Sequence, residues 1–186
     1  MKPKLIIVEG AIGSGKSSLS RLMRENMKHT TLLSLSSIGN NTAFNYFNYH
    51  ANILNLLLEL RGTDQNVILE RSFISNRVYS MMGHNSYSFD QEFRILSRKL
   101  KALTMFYDVY VVLLCTNKVD FERRLGKRSK FELVDHTVDE ALKQQRNYMI
   151  LLDQLRNEGI NCTTIVNSGM SKNQTLEFIM TSIGDE

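Results

Sequence analysis

Lys4-Leu5-Ile6-Ile7-Val8 is a short apolar, β-branched run, and Gly10-Ala11-Ile12-Gly13-Ser14-Gly15-Lys16-Ser17 follows it almost at once. An apolar run without polar alternation is the pattern of a strand buried on both faces of a parallel sheet. The eight residues after it fit G-x-x-x-x-G-K-[ST], and beyond them Leu19, Leu22 and Met23 recur at helical spacing from Lys16 to Lys28. The glycine loop therefore joins a buried strand to the start of a helix, the context in which this spacing has a physical meaning. Glycines let the backbone curl until successive N–H groups face phosphate oxygens, and the helix start adds its positive end. In such a turn the lysine bridges the terminal phosphates and the hydroxyl after it binds Mg2+. The pattern predicts that Gly10, Ala11, Ile12, Gly13, Ser14, Gly15, Lys16, Ser17 and Ser18 hold the phosphates of ATP, with Ser17 on the metal.

The same alternation of strand and helix continues outward from the loop. Thr31 to Ser36, Asn66 to Leu69, Val109 to Cys115 and Asn161 to Val166 read as further strands. Helical spacing covers Ala43 to Leu60, Ser75 to Met82, Asp90 to Thr104, Val119 to Leu125, Thr137 to Glu158 and Lys172 to Ile183. Phe44, Phe47, Ala51, Leu54 and Leu58 form one stripe of the second helix. The stripe over 51–58 suits either the core or a dimer interface. Segments 37–42 and 83–88 are turn-like. With no repeat, low-complexity tract or linker, the 186 residues make one domain, predicted to be a three-layer α/β fold with a parallel sheet.

Composition narrows the function classes. The chain carries 23 Lys+Arg against 19 Asp+Glu, yet Arg123, Arg124, Lys127, Arg128 and Lys130 fall within eight residues. Without those five the balance is 18 to 19, so the excess is one local feature and argues against a nucleic-acid partner. No apolar stretch approaches the roughly 20 residues that span a bilayer. The start lacks signal-peptide features, and Cys115 and Cys162 are too few for a disulfide framework. Buried free thiols and a cytoplasmic location are the expectation. His29, His50, His84 and His136 do not fall at metal-ligand spacing.

Two further signals bear on chemistry. Val67-Ile68-Leu69 ends in Glu70, delivering a carboxylate to the strand end that faces the ligand crevice in a parallel sheet. There it is a metal partner opposite Ser17, and Arg71, Ser72, Ser75 and Arg77 follow at once. The basic cluster is the second signal. Arg124 and Arg128 stand four apart on one helical face, and arginine's planar fork matches phosphate. Such a segment can close over bound ATP, exclude water and stabilise the charge of the transferring phosphoryl group.

Glu70-Arg71-Ser72-x-x-Ser75-x-Arg77 resembles the E-R-S-x-x-S-x-R stretch of deoxynucleoside kinases. Arg124-Leu125-x-x-Arg128-x-Lys130-x-Glu132 resembles their lid, with Lys in place of the last Arg, and Val8-Glu9-Gly10 to Ser17 is similar to their opening. Arg71, Ser75, Tyr79 and Arg146-Asn147-Tyr148 instead echo the related thymidylate kinases. The resemblance runs from Lys4 to about Ile183 and implies a P-loop kinase fold, a three-layer α/β/α domain with a five-stranded parallel sheet and a lid at about 123–132. By the resemblance, Lys16, Glu70, Arg71, Arg124 and Arg128 carry catalysis. Phe47 and Asn48 read the base, and Arg71, Ser75, Arg77 and Tyr79 line the acceptor site. It also implies ATP and Mg2+ as cofactors, a small nucleoside or nucleotide acceptor, and a homodimer, the common state of these families.

One departure leaves the acceptor open. Both families place a glutamate just after the second strand, where this chain reads Leu35-Ser36-Ser37-Ile38-Gly39-Asn40-Asn41. A missing base costs a hydroxyl acceptor about 10²–10⁴ in rate, whereas a monophosphate is already an anion. The absent acid points to a nucleotide acceptor, and the E-R-S and lid motifs point to a nucleoside. Two alternatives stand beside a kinase of either kind: a P-loop kinase acting on a hydroxyl of DNA or RNA, and a non-catalytic ATP-binding protein.

Overall fold

The computed structural model describes residues 2–36, 42–126 and 137–184. Five strands, β1 (Lys4–Gly10), β2 (Thr30–Ser34), β3 (Asn66–Glu70), β4 (Asp108–Cys115) and β5 (Asn161–Val166), pair in the order β2-β3-β1-β4-β5. All pairings are parallel. The helices are α1 (Lys16–Asn26), α2 (Ala43–Glu59), α3 (Phe73–Met81), α4 (Asp90–Leu103), α5 (Lys118–Leu125), α6 (Val138–Asn157) and α7 (Lys172–Ser182). The expected three-layer α/β/α fold with a five-stranded parallel sheet is therefore present.

Strand side chains alternate between faces, and the sheet uses both. Leu5, Ile7, Val67, Leu69, Val111 and Leu113 join one core with residues of α2, α3, α4 and α6. Ile6, Val8, Ile68, Val112 and Leu114 join the other with Leu19 and Met23 of α1 and Ile179 of α7. A smaller cluster of Ala11, Phe121 and Ala141 packs the glycine loop against α5 and α6. The central β1 is buried along its whole length, so the loop that follows it hangs from the middle of the sheet.

Three expectations shift. In α2 the buried residues are Tyr46, His50, Ala51, Leu54 and Leu57, while Phe44 is 69% exposed. Ala51, Leu54 and Leu57 of the 51–58 stripe belong to the core, and Leu56 faces outward. The third helix starts at Phe73 rather than Ser75, because Ser72 caps it by accepting from the Ile74 N–H. Both cysteines are free thiols, but only Cys115 is buried; Cys162 lies on the edge strand β5 and is half-buried. Burial pushes both thiols up to about 11, which leaves them protonated and unreactive near neutrality.

Candidate functional site

The C-terminal edge of the sheet gathers the end of β1, the end of β3 and the residue after β5. The loop itself is shaped by backbone. Gly10, Gly13 and Gly15 all have positive φ, at 148°, 78° and 98°. A Cβ on Gly10 would lie 2.7 Å from the Leu114 carbonyl oxygen, so only glycine fits there. Ser14 N–H closes the turn on the Ala11 carbonyl at 3.1 Å, and the Ile12 N–H is held by Gln144 Oε1 of α6 at 3.2 Å.

How α1 begins is the chemical point. Its N-cap is Gly15, which provides no side-chain acceptor, and its first turn contains no acid. Helices α2, α3, α5, α6 and α7 are each capped by a Thr, Ser or Asn side chain, and α4 has acids in its first turn. The opening N–H groups of a helix lack intrahelical acceptors, so α1 presents them to an incoming anion. Ser17 and Ser18 are exposed beside them.

Lys16 is 6% exposed and bends back over the loop, donating to the Gly10 and Ala11 carbonyls at 2.6 and 2.8 Å. Ser17 Oγ donates to Glu70 Oε1, and Ser34 Oγ donates to Glu70 Oε2 at 2.8 Å. Glu70 and Ser17 thus meet, as their positions predict, and Ser34 at the end of β2 completes the group. Among the described residues no three His, Cys, Asp or Glu side chains gather into a metal cluster. The oxygens at hand are two hydroxyls and one carboxylate, a sparse set that suits Mg2+, which keeps most of its waters and leans on substrate phosphates.

Arg71 follows Glu70 with φ 70°, a left-handed conformation rare outside glycine and costing about 1–3 kcal/mol. The single turn sends Glu70 toward Ser17 and Arg71 toward α3, where Arg71 Nη1 donates to the Tyr79 hydroxyl at 2.9 Å. Burial disfavours the guanidinium charge, but Tyr79, Tyr148 and Glu9 outweigh it and hold its pKa above the ordinary value. The other acceptor-side expectations spread further. Ser75 is buried and bonded to Glu9 and Tyr148, and Arg77 forms an ion pair with Asp90. Phe47 and Asn48 are half-buried on α2, with Phe47 packed against the larger core.

Arg124, at the end of α5, reaches the loop: its Nη1 lies 3.1 Å from the Ser14 carbonyl oxygen and 3.3 Å from Asn167 Oδ1. Burial lowers its pKa, opposed by Asp120. Asn167 Nδ2 donates to the same Ser14 carbonyl at 2.8 Å. A cavity of about 560 Å³ opens between these parts, lined by Lys16, Ser17, Arg71, Arg124, Asn167 and Lys172 among others. Arg128, with the rest of the expected lid from Lys127 to Glu132 and the turn at 37–41, lies outside the described residues.

Sequence reasoning assigns no site role to Glu9, Ser34, Gln144, Tyr148 or Asn167, although Glu9 and Tyr148 stand within stretches that carry the resemblance. Glu9 is fully buried, and burial raises its carboxyl pKa against the pull of Ser72, Ser75, Lys16 and Arg71. Asn167 carried the same signal as Glu70, a polar residue at the C-terminal end of a parallel strand. Among the described residues no helix is long and apolar enough to cross a membrane.

No protein-family model matches the chain, and no curated protein matches it in sequence. Solved structures do match in fold. Thymidylate kinase from Candida albicans aligns over 100% of this chain and 94% of its own, at 16% identity and TM-score 0.61. The YorR protein from Bacillus subtilis, solved in complex with phosphorylated GDP, aligns over 97% and 95%, at 21% identity and TM-score 0.64. Deoxyadenosine kinase from M. mycoides, with dCMP and dCDP bound, aligns over 97% and 98%, at 14% identity and TM-score 0.58. The chain has the fold these kinases share.

Proposed function

We propose that this protein is an ATP-dependent kinase that transfers the γ-phosphoryl group to a deoxynucleoside or its monophosphate. The observation that carries the reading is the uncapped, acid-free start of α1 facing Lys16, with Ser17 and Glu70 in contact beside it. On this reading Gly10–Ser18 cradle the triphosphate and Lys16 turns from its two carbonyls to the terminal phosphates. Ser17 and Glu70 would hold Mg2+, which when bound would supply positive charge at the phosphates. Arg71 stands on the acceptor side of the transferring group. Arg124 and Arg128 cover ATP from the lid, and no covalent intermediate is required.

The charge inventory favours a nucleoside hydroxyl as acceptor. Residues 29–60, which span the second strand, the turn and α2, contain no Lys or Arg. His50 has its pKa lowered to about 4, first by burial, and is neutral near pH 7. Arg77 is already paired with Asp90. Among the described residues Arg71 therefore stands nearly alone as a cation on that side, a thin complement for a dianionic acceptor. One observation favours the monophosphate instead: no acid occurs from Leu35 to Asn41 to take a hydroxyl proton.

Radiolabel from [γ-32P]ATP, tested against each common deoxynucleoside and each monophosphate separately, distinguishes the two. The charge argument predicts label in nucleoside monophosphates; label only in diphosphates reverses the choice of acceptor. ATP binding with label in no product would support the non-catalytic alternative, and label in oligonucleotides the nucleic-acid alternative.

A further inference from the structure

We infer that Glu9 is the positioning residue that sets Arg71 at the acceptor, through the two serines of the E-R-S-x-x-S stretch. Glu9 lies within β1, one residue before the loop, with no exposed surface, and the proposed reaction gives it no role. Its two carboxylate oxygens are each occupied. Ser72 Oγ donates to Oε1 at 2.7 Å, and Ser75 Oγ donates to Oε2 at 2.8 Å. Those serines are the cap and the third residue of α3, so one buried carboxylate holds the whole first turn of the helix.

Arg71 is the residue immediately before that cap. Its N–H donates to the Val8 carbonyl at 3.0 Å, so β1 grips the chain twice in succession: by its backbone at Val8 and by its side chain at Glu9. The turn at Arg71 lies between these two grips and takes the left-handed conformation. That conformation directs the guanidinium along α3 to the Tyr79 hydroxyl. Ser75 also meets the Tyr148 hydroxyl at 2.9 Å, which ties the assembly to α6.

A carboxylate is suited to this place because two hydroxyl donors need two acceptor oxygens. A glutamine offers one acceptor oxygen and an NH2 group, so one serine would have to turn away. Lys16 and Arg71 also act on Glu9 electrostatically inside the fold, pulling its carboxyl pKa back down against the burial that raises it.

The inference rests on the kinase reading for what Arg71 does, and two measurements keep the ideas separate. The first is a kinetic cycle of Glu9→Gln in the wild-type and Arg71→Ala backgrounds. A displaced arginine is expected to lower kcat by about 10- to 100-fold, with the KM for ATP within about twofold. In the Arg71→Ala background the same change is expected to cost less than about twofold, because its target is gone. Equal losses in both backgrounds overturn the inference.

The second is a crystal structure of the Glu9→Gln protein, or of the milder Ser75→Ala should the first not fold. Arg71 is expected to leave its positive φ or its bond to Tyr79. An unmoved Arg71 overturns the inference whether or not the protein turns over. A wild-type protein that phosphorylates nothing defeats the kinase reading alone, and the crystal structure still decides Glu9.

Discussion

Replacing Lys16 with methionine keeps the length of the side chain and removes its charge, which separates two effects that the structure allows to be sized. The ammonium donates to the Gly10 and Ala11 carbonyls at 2.6 and 2.8 Å from a site only 6% exposed. Charge-assisted hydrogen bonds contribute about 1.5–3 kcal/mol each, but burying an ammonium costs several kcal/mol and offsets most of that. A net loss of about 1–2 kcal/mol follows, which for a domain of this size lowers the melting temperature by about 2–8 °C.

Catalysis should suffer far more. A preorganised charge aimed at a developing one is worth about 10²–10³ in kcat. The variant is therefore expected to remain folded at 25 °C and to lose at least about 100-fold in turnover. Differential scanning calorimetry and steady-state transfer from ATP measure the two effects side by side. Saturating Mg-ATP at about 100 times its dissociation constant adds about 2.7 kcal/mol to wild-type stability, and most of that increment should vanish in the variant. Turnover within about threefold of wild type would refute the placement of Lys16 on the phosphates. A fall in melting temperature well beyond 10 °C would refute the separation of catalysis from stability.

Three more outcomes follow from the same geometry. Gly10→Ala places a Cβ 2.7 Å from both Leu114 O and Ser14 Oγ and should destabilise by at least about 2 kcal/mol. Gly62→Ala has positive φ but nothing within 4 Å, so it should cost only about 1 kcal/mol; equal losses in urea melts would contradict the contact argument. His50 titrates near 4 when folded and 6.5 when unfolded, so the unfolded chain binds the extra proton between those values and stability falls as pH drops from 6.5 toward 4. His50→Gln should remove up to about 3 kcal/mol of that acid sensitivity relative to wild type, and parallel stability–pH curves for the two proteins would refute the burial of a neutral imidazole. Glu70→Gln should raise the Mg2+ concentration for half-maximal activity by about tenfold or more, and an unchanged Mg2+ dependence would remove Glu70 from the metal.

The parts of the fold that were legible in the sequence are those written in consecutive residues. Lys4 to Ser17 carry strand, loop and helix start within one stretch, and the central strands β3 and β4 announce themselves as apolar runs. The edge strands β2 and β5 are marked by β-branched residues among polar ones. The inward face of α2 was legible in most part, since Ala51 and Leu54 are in the core and Phe47 and Leu58 pack against it. Phe44 faces outward, because a helix of period 3.6 offers overlapping stripes. Tyr46, His50, Leu54 and Leu57 lie on the buried one, where a polar imidazole interrupts the apolar pattern and is satisfied by Asn76 at 2.7 Å.

The candidate site divides in the same way. Ser17 with Glu70 was readable because each sits at a position a parallel sheet makes special. Glu9 was not, since its partners are 63 and 66 residues away and no spacing rule links them. Asn167 and Arg124, 43 residues apart, and Ser75 and Tyr148, 73 apart, are met only once the sheet has been assembled. Ser75 illustrates the consequence. By resemblance it lines the acceptor site, whereas in the fold its hydroxyl joins β1, α3 and α6.

The central claim is that this loop delivers phosphate from ATP to a small acceptor, and one incubation tests it. Purified protein, Mg2+ and [γ-32P]ATP are mixed with the pooled deoxynucleosides and their monophosphates, with Lys16→Ala run alongside. Label is expected to leave ATP for a nucleoside mono- or diphosphate in the wild type, with transfer at least about 100-fold slower in the variant. Label that stays on ATP, or moves equally well without Lys16, contradicts the claim.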